Sequence, residues 1–401
     1  MKKKILIFSL AYYPDHVGGA EVAIKEITDR IPEIDFDMVA LRFDSNLPKV
    51  EKIGNVTVHR IGLTKKSPTM ADLRKLPLHL NKFLCQFSAA FKAHSLHKKN
   101  RYDAIWAMMA HSTGTPAGIF KTLNPKVPYL LTLQEGDPLD YIKKKMRPIY
   151  PLFVRGFTQA NFVQAISTFL AKWASDMGFR GDLAVIPNAV NTKHFSQEYP
   201  EAELNELKQK LNKKEGDVFI ITTSRLVIKN GIGDVIDAMQ YLPENIKFLI
   251  LGIGPLEEEL KLKAKSYNLE ARVMFIGQIN HKEMPKYLKI SDIFTRPSLS
   301  EGMGNSFVEA MAAELPVIAT QEGGIADFLF DPERNPDKES TGFAVDPKSP
   351  KQIADQVKNI LEHKELTQKI VANAKKLAFA KYDWDIIAKD MREKVFAKII
   401  K

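Results

Sequence analysis

Cysteine is nearly absent from the sequence, because Cys85 is the single cysteine among 401 residues. One thiol excludes an internal disulfide framework and any metal site that needs several thiolates. The scarcity of cysteine also fits a reducing compartment, so we expect a cytoplasmic protein. Long apolar runs are missing too. No uninterrupted apolar stretch reaches 18 residues, and we therefore expect no transmembrane helix.

The amino-terminal residues Met1–Ala11 place a basic cluster before an apolar run, as a secretory signal peptide does. The run is short, since Tyr12–His16 ends it after about seven residues. A short apolar run of this kind is typical of a buried first strand in a parallel sheet. We therefore expect a strand here and no signal peptide.

The composition excludes a disordered chain, because 45% hydrophobic and 26% charged residues are ordinary globular values. A chain of 401 residues exceeds what one hydrophobic core usually serves, so the length predicts two domains. The composition becomes acidic and helical after Phe195, which places the boundary between the domains near residues 190–216.

Positive charge is concentrated in the first half of the chain. Residues 1–190 hold 27 Lys and Arg against 16 Asp and Glu, whereas residues 191–401 hold 31 against 32. Within 63–101, nine basic residues accompany one acidic residue. Large apolar side chains recur in that segment at helical spacing, namely Leu73, Leu76, Leu80, Phe83, Leu84, Phe87 and Phe91. One interpretation is functional, a membrane-surface helix or a site for an anionic acceptor. The other is an ordinary helix with its apolar stripe in the core and its basic face in solvent.

A second basic segment, Tyr141–Arg155, mixes lysines and arginines with aromatic residues and prolines. This composition favours the membrane interpretation, so we expect a protein peripheral to the inner face of the cytoplasmic membrane with an anionic membrane surface as a partner. We expect no nucleic-acid partner, because no recognisable nucleic-acid-binding module accompanies the charge.

Apolar runs alternate with helix-like segments along the whole chain. In the first half the runs are Lys4–Ser9, Phe36–Ala40, Val56–Ile61, Ala104–Met108, Tyr129–Leu133 and Asn161–Ala165, and the alternation restarts at Val218–Ser224. It predicts an α/β fold with parallel sheets and helices on both faces. Functional side chains are then expected on loops at the carboxyl ends of strands.

The first of these loops, Ala11–Gly19, ends in a Gly-Gly pair before a helix predicted over Ala20–Arg30. A loop of this composition approaches a ligand closely, so Gly19 is a candidate for contact with a phosphate. A plain tight turn is the alternative interpretation.

One stretch, Arg296–Ala312, combines the features of an anion site. It predicts a strand, a loop containing Gly302 and Gly304, and a helix that starts at the capping types Asn305 and Ser306. The first N–H groups of a helix are unpaired and carry the positive end of its dipole. The stretch therefore predicts a phosphate site.

Two carboxylates bracket this loop. Glu301 precedes the glycines, and Glu309 follows eight residues later, about one turn into the helix. Their positions suit hydroxyl groups on either side of a phosphate, such as those of a sugar and a ribose. In isolation, a solvated glutamate and a dipole-complementing glutamate would be the simpler interpretation.

Two cations, Arg225 and Lys229, follow the strand predicted at Val218–Ser224. Four residues apart on one loop, they are able to converge on one diphosphate, the arginine as a fork and the lysine as a compact charge. The flexible pair Asn230-Gly231 follows them. Two solvated bases on a surface loop are the alternative.

The order of these motifs resembles the E-x7-E signature of the retaining GT-B glycosyltransferases, glycosyltransferase family 4 or glycosyl transferases group 1. The resemblance covers nearly the whole chain. Its motifs are Gly18–Glu21, Ile186–Asn191, Ser224–Gly231, Gly252–Pro255, Phe275–Gly277, Arg296–Ala312 and Gly323-Gly324.

The resemblance implies two facing Rossmann-like domains with a deep cleft between them. It implies an acceptor-binding domain at 1–195, a nucleotide-sugar donor domain at 196–380, and a carboxyl-terminal helix at 381–401 that returns to the first domain. It assigns the ribose hydroxyls to Glu309 and the sugar hydroxyls to Glu301. The other expected donor-binding residues are Gly19, Asn188, Gly254, Ile276, Pro297, Gly302, Met303, Gly304, Asn305 and Ser306.

The chain departs from the family pattern at Gln134, where a histidine commonly touches the donor sugar. An amide forms hydrogen bonds but carries no proton at neutral pH. Glu135 and Asp137 on the same loop, and His111 after an earlier strand, are then candidates for acceptor or sugar contacts. Another departure is Glu314, at the end of a helix where the family has glycine.

The expected function is transfer of a sugar from a UDP-, GDP- or ADP-linked donor to a lipid-linked or saccharide acceptor in cell-envelope polysaccharide or glycolipid synthesis. Arg225, Lys229 and the helix start would neutralise the leaving diphosphate, so we expect neither a cofactor nor a metal. The alternatives are a nucleotide-sugar epimerase or hydrolase on the same fold, or a non-catalytic nucleotide-sugar-binding protein at a membrane surface.

Overall fold

The computed structural model of the chain describes residues 2–13, 18–69 and 72–400. The chain folds into two compact units, one made of Met1–Asn188 with Trp384–Lys401, the other of Ala189–Asp383. Residues 14–17 of the predicted loop Ala11–Gly19 lie outside the described residues.

The first unit contains an eight-stranded sheet of order β3-β4-β2-β1-β5-β6-β7-β8. Its strands are β1 (Lys3–Phe8), β2 (Ile34–Leu41), β3 (Val50–Ile53), β4 (Val56–Ile61), β5 (Ala104–Met108), β6 (Tyr129–Leu133), β7 (Phe162–Ala165) and β8 (Asp182–Val185). The neighbouring strands run parallel except at the edge, where β3 pairs antiparallel to β4. Every residue of the central strands β5 and β6 is buried, which fits a parallel sheet covered by helices.

In the described part of the first unit, six helices connect these strands. They are α1 (Gly19–Asp29), α2 (Asn81–Asn100), α3 (Thr115–Leu123), α4 (Leu139–Met146), α5 (Tyr150–Thr158) and α6 (Thr168–Asp176). A helix thus follows β1, β4, β5, β6 and β7, as crossover connections between parallel strands require.

The second unit contains a six-stranded parallel sheet of order β11-β10-β9-β12-β13-β14. Its strands are β9 (Val218–Thr223), β10 (Ile246–Leu251), β11 (Val273–Gly277), β12 (Ile293–Arg296), β13 (Val317–Ala319) and β14 (Phe343–Ala344). Its helices are α7 (Thr192–Ser196), α8 (Glu201–Lys210), α9 (Ile232–Ala238), α10 (Glu257–Ser266), α11 (Met284–Lys289), α12 (Asn305–Ala312), α13 (Pro350–Glu362) and α14 (Lys364–Lys381). The β9 and β10 side chains Ile220, Phe248 and Ile250 lie in its hydrophobic core.

The carboxyl-terminal segment belongs to the first unit. It forms α15 (Trp384–Asp390), a π-helical turn over Met391–Phe396 and α16 (Ala397–Ile399). The Phe396 ring lies 5.3 Å from the Trp106 ring, and Arg30 Nε donates to Asp385 Oδ1 across 2.7 Å. An aromatic contact in the core and a charged contact at the rim therefore hold this segment against the first unit.

The predicted alternation of strands and helices is confirmed. The limits of β5 and β6 match the predicted runs, and α1 begins one residue before the prediction. Three strands that were not expected, β3, β8 and β14, lie at sheet edges. Edge strands are short and less apolar, so hydrophobic patterning identifies them poorly. Within the described residues, no helix is long and apolar enough to cross a membrane.

The basic segment 63–101 does not form an ordinary helix with its apolar stripe in the core, which was one of its two interpretations. Its first part forms two short 3₁₀ turns, and α2 begins only at Asn81. The buried side of α2 includes small side chains, among them Cys85, Ala89, Ala90 and Ala93, whereas Phe83, Leu84 and Phe91 are exposed. Small side chains let α2 and α3 approach closely, which leaves the large apolar ones outside.

Candidate active site

The loops after β9 and β12 are joined at the carboxyl edge of the second sheet. Gly231 has a φ of +68°, and a Cβ there would lie 2.1 Å from the Pro297 carbonyl oxygen, so only glycine fits. Beside it, Leu299 N donates to Lys229 O across 2.7 Å. These contacts place the loop that bears Arg225 and Lys229 directly against the predicted phosphate stretch.

The loops after β10 and β11 reach the same edge. Leu226 N donates to Ile253 O across 3.0 Å, and Gly252 N donates to Gly277 O across 2.8 Å. The predicted donor-binding residue Gly254 thereby lies on a loop adjoining the Arg225 loop, and Ile276 lies at the carboxyl end of β11 beside it. The structure therefore brings the carboxyl ends of four neighbouring strands into one continuous surface of loops.

A buried arginine that was not predicted as a site residue organises the stretch Arg296–Ala312. Arg296 ends β12, and its guanidinium donates to Glu301 Oε2 at 2.9 Å, Ser306 Oγ at 2.8 Å and Ser298 Oγ at 3.2 Å. It also stacks over the Phe307 ring, with Cζ 4.2 Å from the ring centroid. Burial lowers the pKa of Arg296, and the neighbouring Glu301 carboxylate opposes that shift.

The arginine fixes the positions of Glu301 and of the start of α12. Glu301 Oε1 also accepts from Gly302 N at 3.1 Å, so both carboxylate oxygens are held. The sequence contains one sign of this arrangement, an arginine at the end of an apolar strand. A buried arginine needs a carboxylate nearby to balance its charge. Ser306, predicted to bind the donor, uses its hydroxyl oxygen to accept from Arg296.

The turn into α12 requires glycine at 304. Gly304 precedes the helix with a φ of +88°, and a Cβ would lie 2.6 Å from the Phe307 ring and 2.7 Å from Arg296 Nη2. Helix α12 then begins at Asn305, with Met303 buried before it. The first turn of α12 therefore lies beside the Arg296 guanidinium, which donates to Ser306 Oγ.

Glu309 lies one turn into α12 and has a histidine partner. His281 Nε2 lies 3.3 Å from Glu309 Oε1, and His194 Nε2 lies 3.1 Å from the His281 carbonyl oxygen. The two imidazole rings stack at 5.8 Å. The sequence analysis missed both histidines, because they come from segments far from the E-x7-E stretch.

In the first unit, the side chains predicted for acceptor or sugar contacts gather at the carboxyl ends of β5 and β6. Glu135 Oε1 lies 3.3 Å from His111 Nδ1, and Glu135 Oε2 accepts from Gln134 N at 3.0 Å. The amides of Gln134 and Asn188 exchange two hydrogen bonds of 3.0 Å each. Asp137 follows on the same loop. Asn188, predicted to bind the donor, is therefore the partner of Gln134.

The predicted site residues thus form two groups, one in each unit. Gly19 belongs to neither, since it is the exposed first residue of α1 and a Cβ there would have no neighbour within 4 Å among the described residues.

The acidic side chains in residues 2–13, 18–69 and 72–400 show no arrangement of metal ligands. Two Asp-x-Asp triplets occur in the sequence, at 35–37 and 383–385. Asp37 accepts from Asn100 and Tyr102, Asp383 accepts from Thr192, and Asp385 accepts from Arg30. In the part of the chain that the structure describes, no group of three or more His, Cys, Asp or Glu side chains is placed to hold a metal ion.

Comparison with known proteins defines the fold. HepE of Anabaena, solved in complex with UDP and glucose, superposes with a TM-score of 0.76 at 20% identity, covering 98% of this chain and 100% of that one. The shared fold, two parallel-sheet Rossmann-like domains, is the GT-B fold.

Residues 204–377, which lie in the second unit, match the family Glycosyl transferases group 1. An uncharacterised glycosyltransferase of Methanocaldococcus jannaschii is 25% identical over 96% of both chains. The alpha-monoglucosyldiacylglycerol synthase of Streptococcus pneumoniae is 29% identical over 57% of this chain and 54% of that protein.

Proposed function

We propose that this protein is a retaining glycosyltransferase that moves a sugar from a nucleoside diphosphate sugar to an acceptor hydroxyl in cell-envelope polysaccharide or glycolipid synthesis. The carrying observation is that the Arg225–Lys229 loop packs against Pro297 and Leu299, in the segment that leads through Glu301 into α12 and Glu309. Cations, a helix start and two carboxylates at one sheet edge suit a phosphate flanked by hydroxyl-bearing groups.

The chemistry assigned to this edge is stabilisation of a leaving group. As the bond from the anomeric carbon to the diphosphate breaks, negative charge accumulates on the phosphate oxygens. Arg225, Lys229 and the first turn of α12 strengthen their interaction with that charge, so no metal or cofactor is assigned to the reaction. Glu301, held by Arg296, is assigned to the sugar hydroxyls and Glu309 to the ribose. Retention is inferred from the resemblance to the E-x7-E enzymes.

Two comparisons support particular substrates. The similar HepE structure contains UDP and glucose, which favours a UDP-linked donor over GDP- and ADP-linked ones. The similar streptococcal enzyme is named for a glucosyldiacylglycerol, which favours a lipid-linked acceptor over a free saccharide. A membrane location for the acceptor would also explain the basic first half of the chain.

The proposal therefore includes an anionic membrane surface on the inner face of the cytoplasmic membrane as a partner of the first unit. Phe83 and Phe91 on α2 are 52% and 63% exposed. Lys143–Lys145 on α4 are exposed. Lys82, in the first turn of α2, lies near Lys145 of α4, and burial together with the Lys145 ammonium lowers the pKa of Lys82. Each basic residue near an anionic leaflet contributes about 1 kcal/mol, and aromatic side chains enter the interface.

The transferase assignment is tested with pure protein, labelled UDP-, GDP- and ADP-glucose, and a cell lipid extract, with and without EDTA. Labelled lipid with unchanged anomeric configuration supports the proposal, and an unchanged rate in EDTA supports metal independence. A different sugar on the nucleotide would instead identify an epimerase, and free sugar a hydrolase. Binding without any product would identify a non-catalytic binding protein.

Membrane docking is tested by co-sedimentation with phosphatidylglycerol vesicles at low and high salt. We expect binding at low salt that weakens as the Debye length falls below about 8 Å. Changing Lys143–Lys145 to Glu, or Phe83 and Phe91 to Ser, should each reduce binding. The control is Leu262→Ser on α10 of the second unit, where Leu262 is 67% exposed. Equal sedimentation of all variants would remove the membrane from the proposal.

A further inference from the structure

A series of side-chain contacts leads from α7 to Glu309 within the second unit. Helix α7 packs against α12. It carries His194 and Phe195, whereas His281 lies in the segment between β11 and α11. All four residues belong to the unit Ala189–Asp383. The proposed ribose ligand therefore has neighbours from two other segments of its own unit.

The first member of the series, His194, is held at both ring nitrogens. Its Nε2 lies 3.1 Å from the His281 carbonyl oxygen, which only accepts hydrogen bonds, so Nε2 bears the hydrogen. In the neutral ring Nδ1 then accepts, and Gln197 Nε2 donates to it across 3.0 Å. The Gln197 amide also donates to the Tyr199 hydroxyl across 2.6 Å. The His194 ring is therefore fixed in one tautomer and one orientation.

The His281 ring packs on two aromatic neighbours. It stacks on the His194 ring, with the ring centroids 5.8 Å apart and the planes inclined by 23°. The Phe195 ring meets it nearly at a right angle at 5.2 Å, and Phe195 is fully buried. Although 64% of the His281 side chain is exposed, these rings and the hydrogen bond to its carbonyl oxygen fix its position.

The two carboxylates of the candidate site are held differently. Glu301 is held through both oxygens, by Arg296 and by Gly302 N. Glu309 is held through one, because His281 Nε2 lies 3.3 Å from Oε1 and a carboxylate only accepts hydrogen bonds, so Nε2 donates. Among the described residues no hydrogen bond holds Glu309 Oε2, and the side chain is 15% exposed. Glu309 therefore keeps one oxygen of an already oriented carboxylate for a ligand hydroxyl.

We propose that His281 is a positioning residue for the donor nucleotide, which holds Glu309 in the rotamer that accepts from a ribose hydroxyl. The inference rests on the proposed function, which assigns the ribose to Glu309. A freely rotating glutamate loses rotamer freedom when a ligand binds, and that loss weakens binding. His281 removes this cost in advance, because it orders the carboxylate before the nucleotide arrives. It thereby sets how strongly the protein prefers a nucleotide that has ribose hydroxyls.

The test compares UDP, GDP and ADP with their 2′,3′-dideoxy forms, which lack the ribose hydroxyls, by titration calorimetry on the full-length chain. For each nucleobase, the ratio of the two affinities measures recognition of the hydroxyls. His281→Phe keeps an aromatic ring against His194 and Phe195 but removes the donor to Glu309. We expect it to lower the ratio about tenfold for the nucleotide that binds best. Affinity for the dideoxy form and the unfolding midpoint should stay close to wild type.

Further variants separate positioning from other roles. His281→Gln, whose amide is able to donate in place of Nε2, should restore most of the ratio. Glu309→Gln should lower the ratio by itself, and adding His281→Phe to it should lower the ratio no further, because both changes act on one interaction. The matched control is His363→Phe, since His363 is an exposed histidine of the same unit with Nδ1 3.2 Å from the Asn359 carbonyl oxygen. It should bind as wild type does.

An unchanged ratio in His281→Phe would overturn the inference. Equal losses of affinity for both forms would overturn it too, because direct contact with the nucleobase or phosphate, or a general structural role, would produce them. Additive losses in the double variant would have the same consequence. If Glu309→Gln leaves the ratio unchanged, the ribose assignment in the proposed function fails and the inference fails with it. A ratio lowered by Glu309→Gln but not by His281→Phe would contradict the inference alone.

Discussion

Arg296 Nη2 donates to Glu301 Oε2 across 2.9 Å, and the two side chains are only 8% and 13% exposed. One guanidinium thereby joins the end of β12, the loop that carries Glu301 and the first turn of α12. Arg296 therefore positions both Glu301, which is proposed to bind the sugar, and the start of α12, which is proposed to bind the phosphate. Changes at Arg296 should therefore affect stability and donor binding together.

Arg296→Lys should lower both the unfolding midpoint and donor affinity. A lysine keeps the charge but cannot donate to Glu301, Ser298 and Ser306 at once, and each lost hydrogen bond to a charged group costs about 1.5–3 kcal/mol. Thermal and urea unfolding of the full chain measure the effect. The control is Arg334→Lys, since Arg334 pairs with Asp346 at 2.9 Å on the surface and such pairs contribute little. Equal loss in both variants would show that the Arg296 network has no special weight.

Arg225→Ala and Lys229→Ala should each weaken UDP binding without changing the unfolding midpoint. A charged hydrogen bond to phosphate contributes about 1.5–3 kcal/mol, which corresponds to roughly ten- to a hundredfold in affinity. Titration calorimetry with UDP measures it. Lys265→Ala, an exposed lysine of α10 in the same unit, should bind as wild type does. Unchanged affinity in both loop variants would exclude the diphosphate clamp.

Glu309→Gln should chiefly weaken binding of UDP itself, whereas Glu301→Gln should chiefly weaken discrimination between UDP-glucose and UDP-galactose. The two effects should differ because the two carboxylates lie at different places. Glu309 lies within α12, next to His281, whereas Glu301 precedes the glycine loop and accepts a hydrogen bond from Arg296. Competition binding with the three ligands separates the effects. If UDP alone loses as much affinity with Glu301→Gln as with Glu309→Gln, the two roles are wrongly assigned.

Glu314→Gly should stabilise the second unit. Glu314 follows α12 with a φ of +64°, a left-handed conformation that costs a non-glycine residue about 1–2 kcal/mol. Its carboxylate accepts from Lys375 Nζ at 2.8 Å, an exposed ion pair of little weight. Glu314→Ala removes the ion pair but keeps the strained backbone, so it separates the two effects. A glycine variant no more stable than the alanine variant in urea unfolding would contradict the strain argument.

The sequence by itself determined the alternation of buried strands and helices, because a parallel strand covered on both faces must be apolar throughout. The limits of β5 and β6 follow directly from that requirement. The sequence also identified the loops that bear Arg225, Lys229 and Glu301 and the helix start that bears Glu309, since glycines and capping residues mark the places where strands end and helices begin.

Only the tertiary structure decided which polar groups are partners. The pairing of His111 with Glu135 spans 24 residues, and that of His281 with Glu309 spans 28. Such pairs form because folding brings distant loops together. Local hydrophobic patterning does not predict which loops will be close in space. The exposed face of α2 has the same origin. Apolar spacing shows that a helix has a hydrophobic stripe, but packing against α3 selected the alanine side and left Phe83 and Phe91 in solvent.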